Sequence, residues 1–533
     1  MELSENVETL LGWCSEGGIV IDARLTVQPD GNGGIGVFTG KADIDPGETV
    51  VTIPKSAVLS VRSCSLSQAI TPAFSGPEAQ LALSAALYTE LLLGPESKWY
   101  GYLQSLPDTI DLPICWEAWM NGKTHPPEWF ASDCEDIRDA LNWLRGTEVE
   151  RNLTGRGHGV TFPELLKYFQ GVVRPLLKDR VSNDPDLNGF LRAYCLVSSR
   201  AFLVDSYHGL AMVPIADAFN HAQENHVHLE SEYQVCSECG SLDECPHDRN
   251  EGGDMMDTGH TLLSGEGYEM VANAPVPPLS EVYNTYGESL SNAELLYQHG
   301  FVLDANEHDS LTWTSDEVFA AAPGLSPSLR EEINHTCTQL FADTEFMASF
   351  DETRCLLGGV VGDARSTYMI NADGLVSVQL WILLLLVSGH QTRQAPAALL
   401  DKVESRSALQ SLYGLQVALE NQVECLDDSG DGTTNYGNIG ALLGCMDGRY
   451  VAVLKHSCEL LVALCQTRKA NTGQRGHGDE EEDLLAQLDA LGPEKRRARF
   501  ALLLVINEKL ILNSCEASWK DLLAALQHAP QLQ

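Results

Sequence analysis

Basic side chains are scarce in this chain. Across 533 residues, 34 lysines and arginines stand against 75 aspartates and glutamates, for a formal net charge of −41 at pH 7 and a pI near 4.5. Such a surface repels nucleic acid and anionic membrane and draws basic partners inward, although acidity also serves plain solubility. Long apolar runs are missing too: the longest strongly apolar stretch, Leu380 to Val387, falls far short of the roughly 20 residues of a membrane span. Met1 to Gly17 is acidic and lacks the apolar core and basic flank of a secretory signal. The 15 cysteines are therefore expected as mostly reduced thiols in the nucleus, the cytoplasm or both. No Walker-type loop, dinucleotide fingerprint or nucleophile elbow occurs, which removes the usual grounds for phosphate or hydride chemistry. Asp427 to Asn438 has the length of a calcium loop with Gly432 in the turn, but Asn438 stands where a bidentate glutamate belongs.

The length exceeds one compact core, so two or three domains are expected. Residues 18 to 60 read as short strands and turns: Gly31 to Gly36 is a flexible turn, Val37-Phe38 opens a strand, and Asp45-Pro46-Gly47-Glu48 turns into the β-branched run Thr49 to Ile53. From about residue 77 the pattern becomes helical; Ala79 to Leu93 is rich in alanine and leucine, and Gly94-Pro95 stops it. Helical character continues through Phe162 to Leu176 and Leu187 to Ser198. Strand patterning returns at Leu210 to Val213 and from Tyr268 to Tyr286, around a polar insert from about 231 to 259. After Phe301-Val302-Leu303 the chain reads as mainly helical, broken by expected loops at 427 to 438 and 470 to 483.

Two fragments carry chemistry. Val213 to His221 is an apolar run ending in an amide and an imidazole, Asn220-His221; Glu281 to Gly287 is a β-rich run ending in a phenol and a turn glycine, Tyr286-Gly287. An amide donates and accepts at once, and an imidazole bonds through two distinct nitrogens. Gly34 and Gly36, having no Cβ, suit close approach of backbone to a cofactor. The insert carries Cys236-x2-Cys239-x5-Cys245-x-His247, four soft or borderline ligands that could enclose zinc, or else a reduced cysteine-rich loop.

In order, with Ser199-Arg200-Ala201-Phe202 upstream and Ser291-Asn-Ala-Glu-Leu-Leu296 after, these fragments resemble the SET-domain protein methyltransferases of the Rubisco large-subunit lysine methyltransferase-like branch. The resemblance implies an α+β chain: a β-rich SET fold over 18–305, split by a helical insertion at about 62–195, with a knot-like C-terminal threading that joins Asn220, His221 and Tyr286. An all-α substrate-binding-like domain over 310–525 would follow. It implies S-adenosylmethionine as methyl donor, held by Gly34, Ile35, Gly36, Arg200, Asn220, His221 and Tyr286, with Tyr286 catalytic. Asp217 and Tyr268 would serve the substrate channel, as would His299, which stands where relatives often have tyrosine before Gly300-Phe301. The expected activity is lysine N-methylation of a basic protein, such as a ribosomal protein or histone, with no direct nucleic-acid or membrane partner. Histidine methylation and a non-catalytic SET binding module are the alternatives.

Overall fold

The computed structural model describes residues 2–30, 34–108, 110–126, 130–157, 159–178, 180–181, 184–232, 234–242, 245, 247, 267–350, 368–392, 405–427, 447–473 and 481–527. Residues 31–33 of the expected glycine turn, 428–438 of the rejected calcium loop, 474–480 of the last expected loop and most of the polar insert lie outside that set. Among the described residues no helix is long and apolar enough to cross a membrane.

The chain divides into two compact units. The first comprises 1–132, 159–290 and 296–300; the second comprises 133–158, 291–295 and 301–533. The strands of the first, in chain order, are β1 (Val20–Ile21), β2 (Leu25–Pro29), β3 (Ile35–Thr39), β4 (Thr49–Pro54), β5 (Leu59–Ser60), β6 (Ala201–Asp205), β7 (Gly209–Met212), β8 (Val227–Glu230) and β9 (Gly267–Ala272). They form three sheets, ordered β1-β4-β9-β8, β2-β3 and β5-β7-β6. The β-branched run in β4 fits a pleated surface, and it pairs antiparallel with β9 so that Ile53 faces Tyr268 and Val51 faces Met270. In the β2–β3 hairpin Gln28 lies opposite Gly36.

Between β5 and β6 the alanine- and leucine-rich stretch forms a helix, Gly76–Leu93, that starts on Pro77 and stops at Gly94, whose φ of 53° is open to glycine. It packs against the helix Leu187–Arg200, which is capped by the Asp186 carboxylate accepting from Gly189 N–H at 3.0 Å. That second helix runs straight into β6, so Arg200 sits at the helix–strand junction. After β7 the chain turns at Ile215, a buried β-branched residue at φ 70°. Such a conformation costs about 1–3 kcal/mol and persists only where the surroundings impose it.

The second unit is built on helices around a leucine-rich core. The apolar run forms the helix Val378–Gln391, buried from Val378 to Gly389 and packed with Gly448–Asn471, which in turn packs on Arg496–Gln527. The expectation of an all-α unit needs one correction. Strands β10 (Ser310–Trp313) and β11 (Tyr368–Asn371) pair antiparallel within it, because alternating Leu311, Trp313 and Ile370 bury one face against the helical core.

The expected helical insertion is also divided, since 133–158 belongs to the second unit. Buried polar groups hold it there. Asp136 accepts from the Arg497 and Ala498 N–H groups at 3.1 and 2.9 Å, capping the last helix. Glu148 accepts from Arg468 Nη2 at 2.7 Å and from Thr312 N and Oγ1, both at 2.8 Å, while its own N–H donates to Glu508 at 2.8 Å. Helical periodicity says nothing about which core a segment joins. Glu148→Ala, which strands a buried guanidinium, is expected to cost about 3–5 kcal/mol in chemical denaturation. Removing the exposed Lys123–Glu117 pair should cost under about 1 kcal/mol.

Candidate active site

Two segments far apart in sequence run side by side in parallel. Asn284 N–H donates to Asn220 O at 2.8 Å, and Ala222 N–H donates to Asn284 O at 3.1 Å. One step further along, the Tyr286 N–H donates to His221 Nδ1 at 3.1 Å. A ring nitrogen that accepts carries no proton, so neutral His221 keeps its hydrogen on Nε2, and burial lowers its pKa. The His221 and Tyr286 rings lie 5.2 Å apart, and His299 stacks on Tyr286 at 4.6 Å. His299 Nδ1 lies 3.2 Å from the Ser199 carbonyl, to which it donates. Burial pushes this imidazole down to about 3; the Ser199 carbonyl opposes the shift, and His221 and Arg200 add to it. Burial likewise raises the Tyr286 pKa, with Arg200 opposing. Near neutral pH the group is thus a protonated phenol between two neutral imidazoles, able to orient and hydrogen-bond but not to act as a strong base.

Gly36 borders the same place. A Cβ there would lie 2.9 Å from Glu281 Oε1, 3.0 Å from Phe38 Cε2 and 3.4 Å from Asn220 Nδ2, so any larger residue would have to displace the Glu281 carboxylate. Asn220 Nδ2 donates to Glu281 Oε1 at 2.7 Å, and Tyr283 Oη donates to Glu281 Oε2 at 3.0 Å. Glu281 was not foreseen. It lies in the quoted β segment, but among 75 acidic residues nothing local links it to Asn220. Gly34 closes the hairpin end through Asp30: Gly34 N–H donates to Asp30 Oδ1 at 3.0 Å and Asp30 N–H donates to Gly34 O at 3.1 Å. The side chain of Ile35 is buried.

Arg200 lies on the buried side of this group. Its Nη1 donates to Asp217 O at 2.9 Å and stands 3.6 Å from Asp217 Oδ2, to which Tyr102 Oη donates at 2.8 Å. Burial raises the Asp217 carboxyl pKa, with Arg200 and Tyr102 pulling it back. Arg200 Nε is buried without a hydrogen-bond partner. Asp217, expected at the substrate channel, is buried with Arg200 and Tyr102 as its partners. Tyr268 is fully buried; its backbone pairs opposite Ile53 in the β4–β9 ladder, and its hydroxyl donates to Asp205 at the end of β6 at 2.6 Å.

No family model matches the sequence. The chain is similar over nearly all its length to solved structures of Rubisco LSMT. One is of the SET domain bound to lysine and AdoHcy (TM-score 0.60, 17% identity, 98% of this chain and 92% of that one); another is bound to AdoMet (TM-score 0.61, 16% identity, 98% and 93%). This chain has the SET fold. Among curated relatives, it is 25% identical to Ribosomal lysine N-methyltransferase 3 of Saccharomyces cerevisiae, over 54% of this chain and 60% of that protein. It is 26% identical to the chloroplastic [Fructose-bisphosphate aldolase]-lysine N-methyltransferase of Arabidopsis thaliana (59% and 55%) and 24% identical to N-lysine methyltransferase SETD6 of Rattus norvegicus (56% and 54%). The chain thus spans little more than half the length of these relatives, and its fold is of the Rubisco LSMT type.

Within this SET fold the Arg200–Asp217–Tyr102 cluster has a measurable signature. Asp217→Ala strands a guanidinium that is 19% exposed at its side chain and is expected to cost about 3 kcal/mol in chemical denaturation. Tyr102→Phe loses one neutral donor and should cost about 1 kcal/mol. Equal losses would show that Arg200 does not depend on the carboxylate.

Proposed function

We propose that this chain is an S-adenosylmethionine-dependent protein-lysine N-methyltransferase. One observation carries the reading: the Asn220–Ala222 and Asn284–Tyr286 segments lie side by side, so that His221 and Tyr286 share a hydrogen bond within a SET fold. The residues present fit the donor. Gly36 offers a backbone approach without a Cβ beside Asn220, and Arg200 keeps a buried donor nitrogen without a partner; Gly34 and Ile35, which precede Gly36 in the chain, and His221, which follows Asn220, would complete the donor's surroundings. When bound, S-adenosylmethionine supplies an electrophilic methyl group and a positive sulfonium charge.

The chain's own residues would orient the acceptor. A lysine amine must be neutral to attack, although its free pKa is about 10.4. Walls made of a protonated phenol and two neutral imidazoles disfavour an ammonium, so no strong general base is needed. Tyr286 takes the role of the phenol that positions the amine, and His299, stacked on it, shapes the same side. A basic protein, such as a ribosomal protein or a histone, is the substrate class that a net charge of −41 would attract, in the nucleus or the cytoplasm.

Tyr286→Phe is expected to keep S-adenosylhomocysteine affinity within about two-fold while cutting methyl transfer by at least about 100-fold, the scale of one lost oriented hydroxyl at a reacting centre. Asn220→Ala should instead weaken donor binding, read by calorimetry. Near-normal turnover in Tyr286→Phe would remove the phenol from the reaction. Methyl-amino-acid analysis of labelled product separates methyllysine from methylhistidine, and donor binding without any transfer would mark a binding module.

A further inference from the structure

The segment after β8 carries a cluster that methyl transfer does not use. Cys236, Cys239, Cys245 and His247 bring one ligand atom each to within 4.8 Å of one another. The turn that presents the first two is built by the backbone: Gly240 N–H donates to Cys236 O at 2.8 Å and Cys236 N–H donates to Ser241 O at 2.9 Å. Gly240 adopts φ 74°, a left-handed conformation suited to glycine. This turn aims the amides of Glu238 and Cys239 at Cys236 Sγ. From the other side His247 Nδ1 lies 3.5 Å from Cys245 Sγ and 3.8 Å from Cys236 Sγ. Ligands on a tetrahedral zinc ion, with Zn–S about 2.3 Å and Zn–N about 2.0 Å, sit roughly 3.5–3.8 Å apart. None of the three cysteines is in a disulfide.

We propose that Cys236, Cys239, Cys245 and His247 form a structural zinc site of three thiolates and one imidazole. Thiolate ligands turn away magnesium and calcium, and four protein ligands leave no open position for catalysis. The site is anchored to the β6–β7 hairpin. Arg62 Nη2 donates to Ser237 O at 3.2 Å, and its guanidinium carbon lies 5.2 Å from the centre of the Tyr207 ring. A Cβ on Gly240 would come within 3.0 Å of that same ring. The metal would therefore hold the turn at Cys236–Ser241 against Tyr207, between β6 and β7. The assignment stands apart from the methyl-transfer reading.

The test uses the full chain purified without chelator. Elemental analysis is expected to find about one zinc per chain. Cys239→Ser, a near-isosteric change at an exposed position, should lower that at least about five-fold, while Cys134→Ser, outside the cluster, keeps it. The unmodified protein, exchanged with cobalt(II), should show the intense visible absorption of a tetrahedral ion together with sulfur-to-cobalt charge transfer, so the ligand set is read even if Cys239→Ser is insoluble. Protein that neither contains zinc nor takes it up on titration overturns the proposal. So does a weak octahedral cobalt spectrum without sulfur bands, or a full equivalent of zinc retained by Cys239→Ser.

Discussion

The parallel contact between 220–222 and 284–286 is the constraint on which the site depends. Three hydrogen bonds cross it, and the third, from the Tyr286 amide to His221 Nδ1, ties a side chain to a main chain. That bond selects the imidazole's tautomer and, through the amide, the place of the phenol. Asparagine, histidine and tyrosine are then held as one unit instead of three independently ordered side chains. The entropy of ordering them is met by folding and not at each encounter with a ligand.

Around that contact the polar groups are graded by depth. On the outer side Glu281 takes the Asn220 amide and the Tyr283 hydroxyl, leaving Asn220 with its carboxamide fixed in direction. On the inner side Asp217 gathers Arg200 and Tyr102. The fixed charges are thus kept a residue away from the phenol, whose neighbours are neutral rings. Such a division suits a reaction whose nucleophile must shed a positive charge without a strong base beside it.

How much of this could be read from the chain alone follows from the range of each interaction. The strand run Thr49 to Ile53, the helix ending at Gly94-Pro95 and the apolar helix over Leu380 to Val387 are local patterns, and all three were legible. So was the pairing of Asn220-His221 with Tyr286, but only through resemblance, because no periodicity joins residues 65 positions apart. What escaped was long-range and polar. Glu281 looks like any other surface carboxylate, Asp217 reads as a channel residue until Tyr102 and Arg200 are seen to fill it, and 133–158 is ordinary helix until Asp136 and Glu148 find their partners in the second unit. The β10–β11 pair was missed because each strand is only four residues long, too short for alternation to register.

Ile215 has a further consequence. A buried β-branched residue at φ 70° behaves like a loaded spring, held only by what surrounds it. It lies five positions before Asn220, so any loosening of that packing lets the turn relax to negative φ and changes the direction in which the amide and imidazole are delivered. The site is therefore set to fail before the fold does: mild heat or denaturant that softens the β7 end of the first unit should displace Asn220 and His221 in a chain that is still folded.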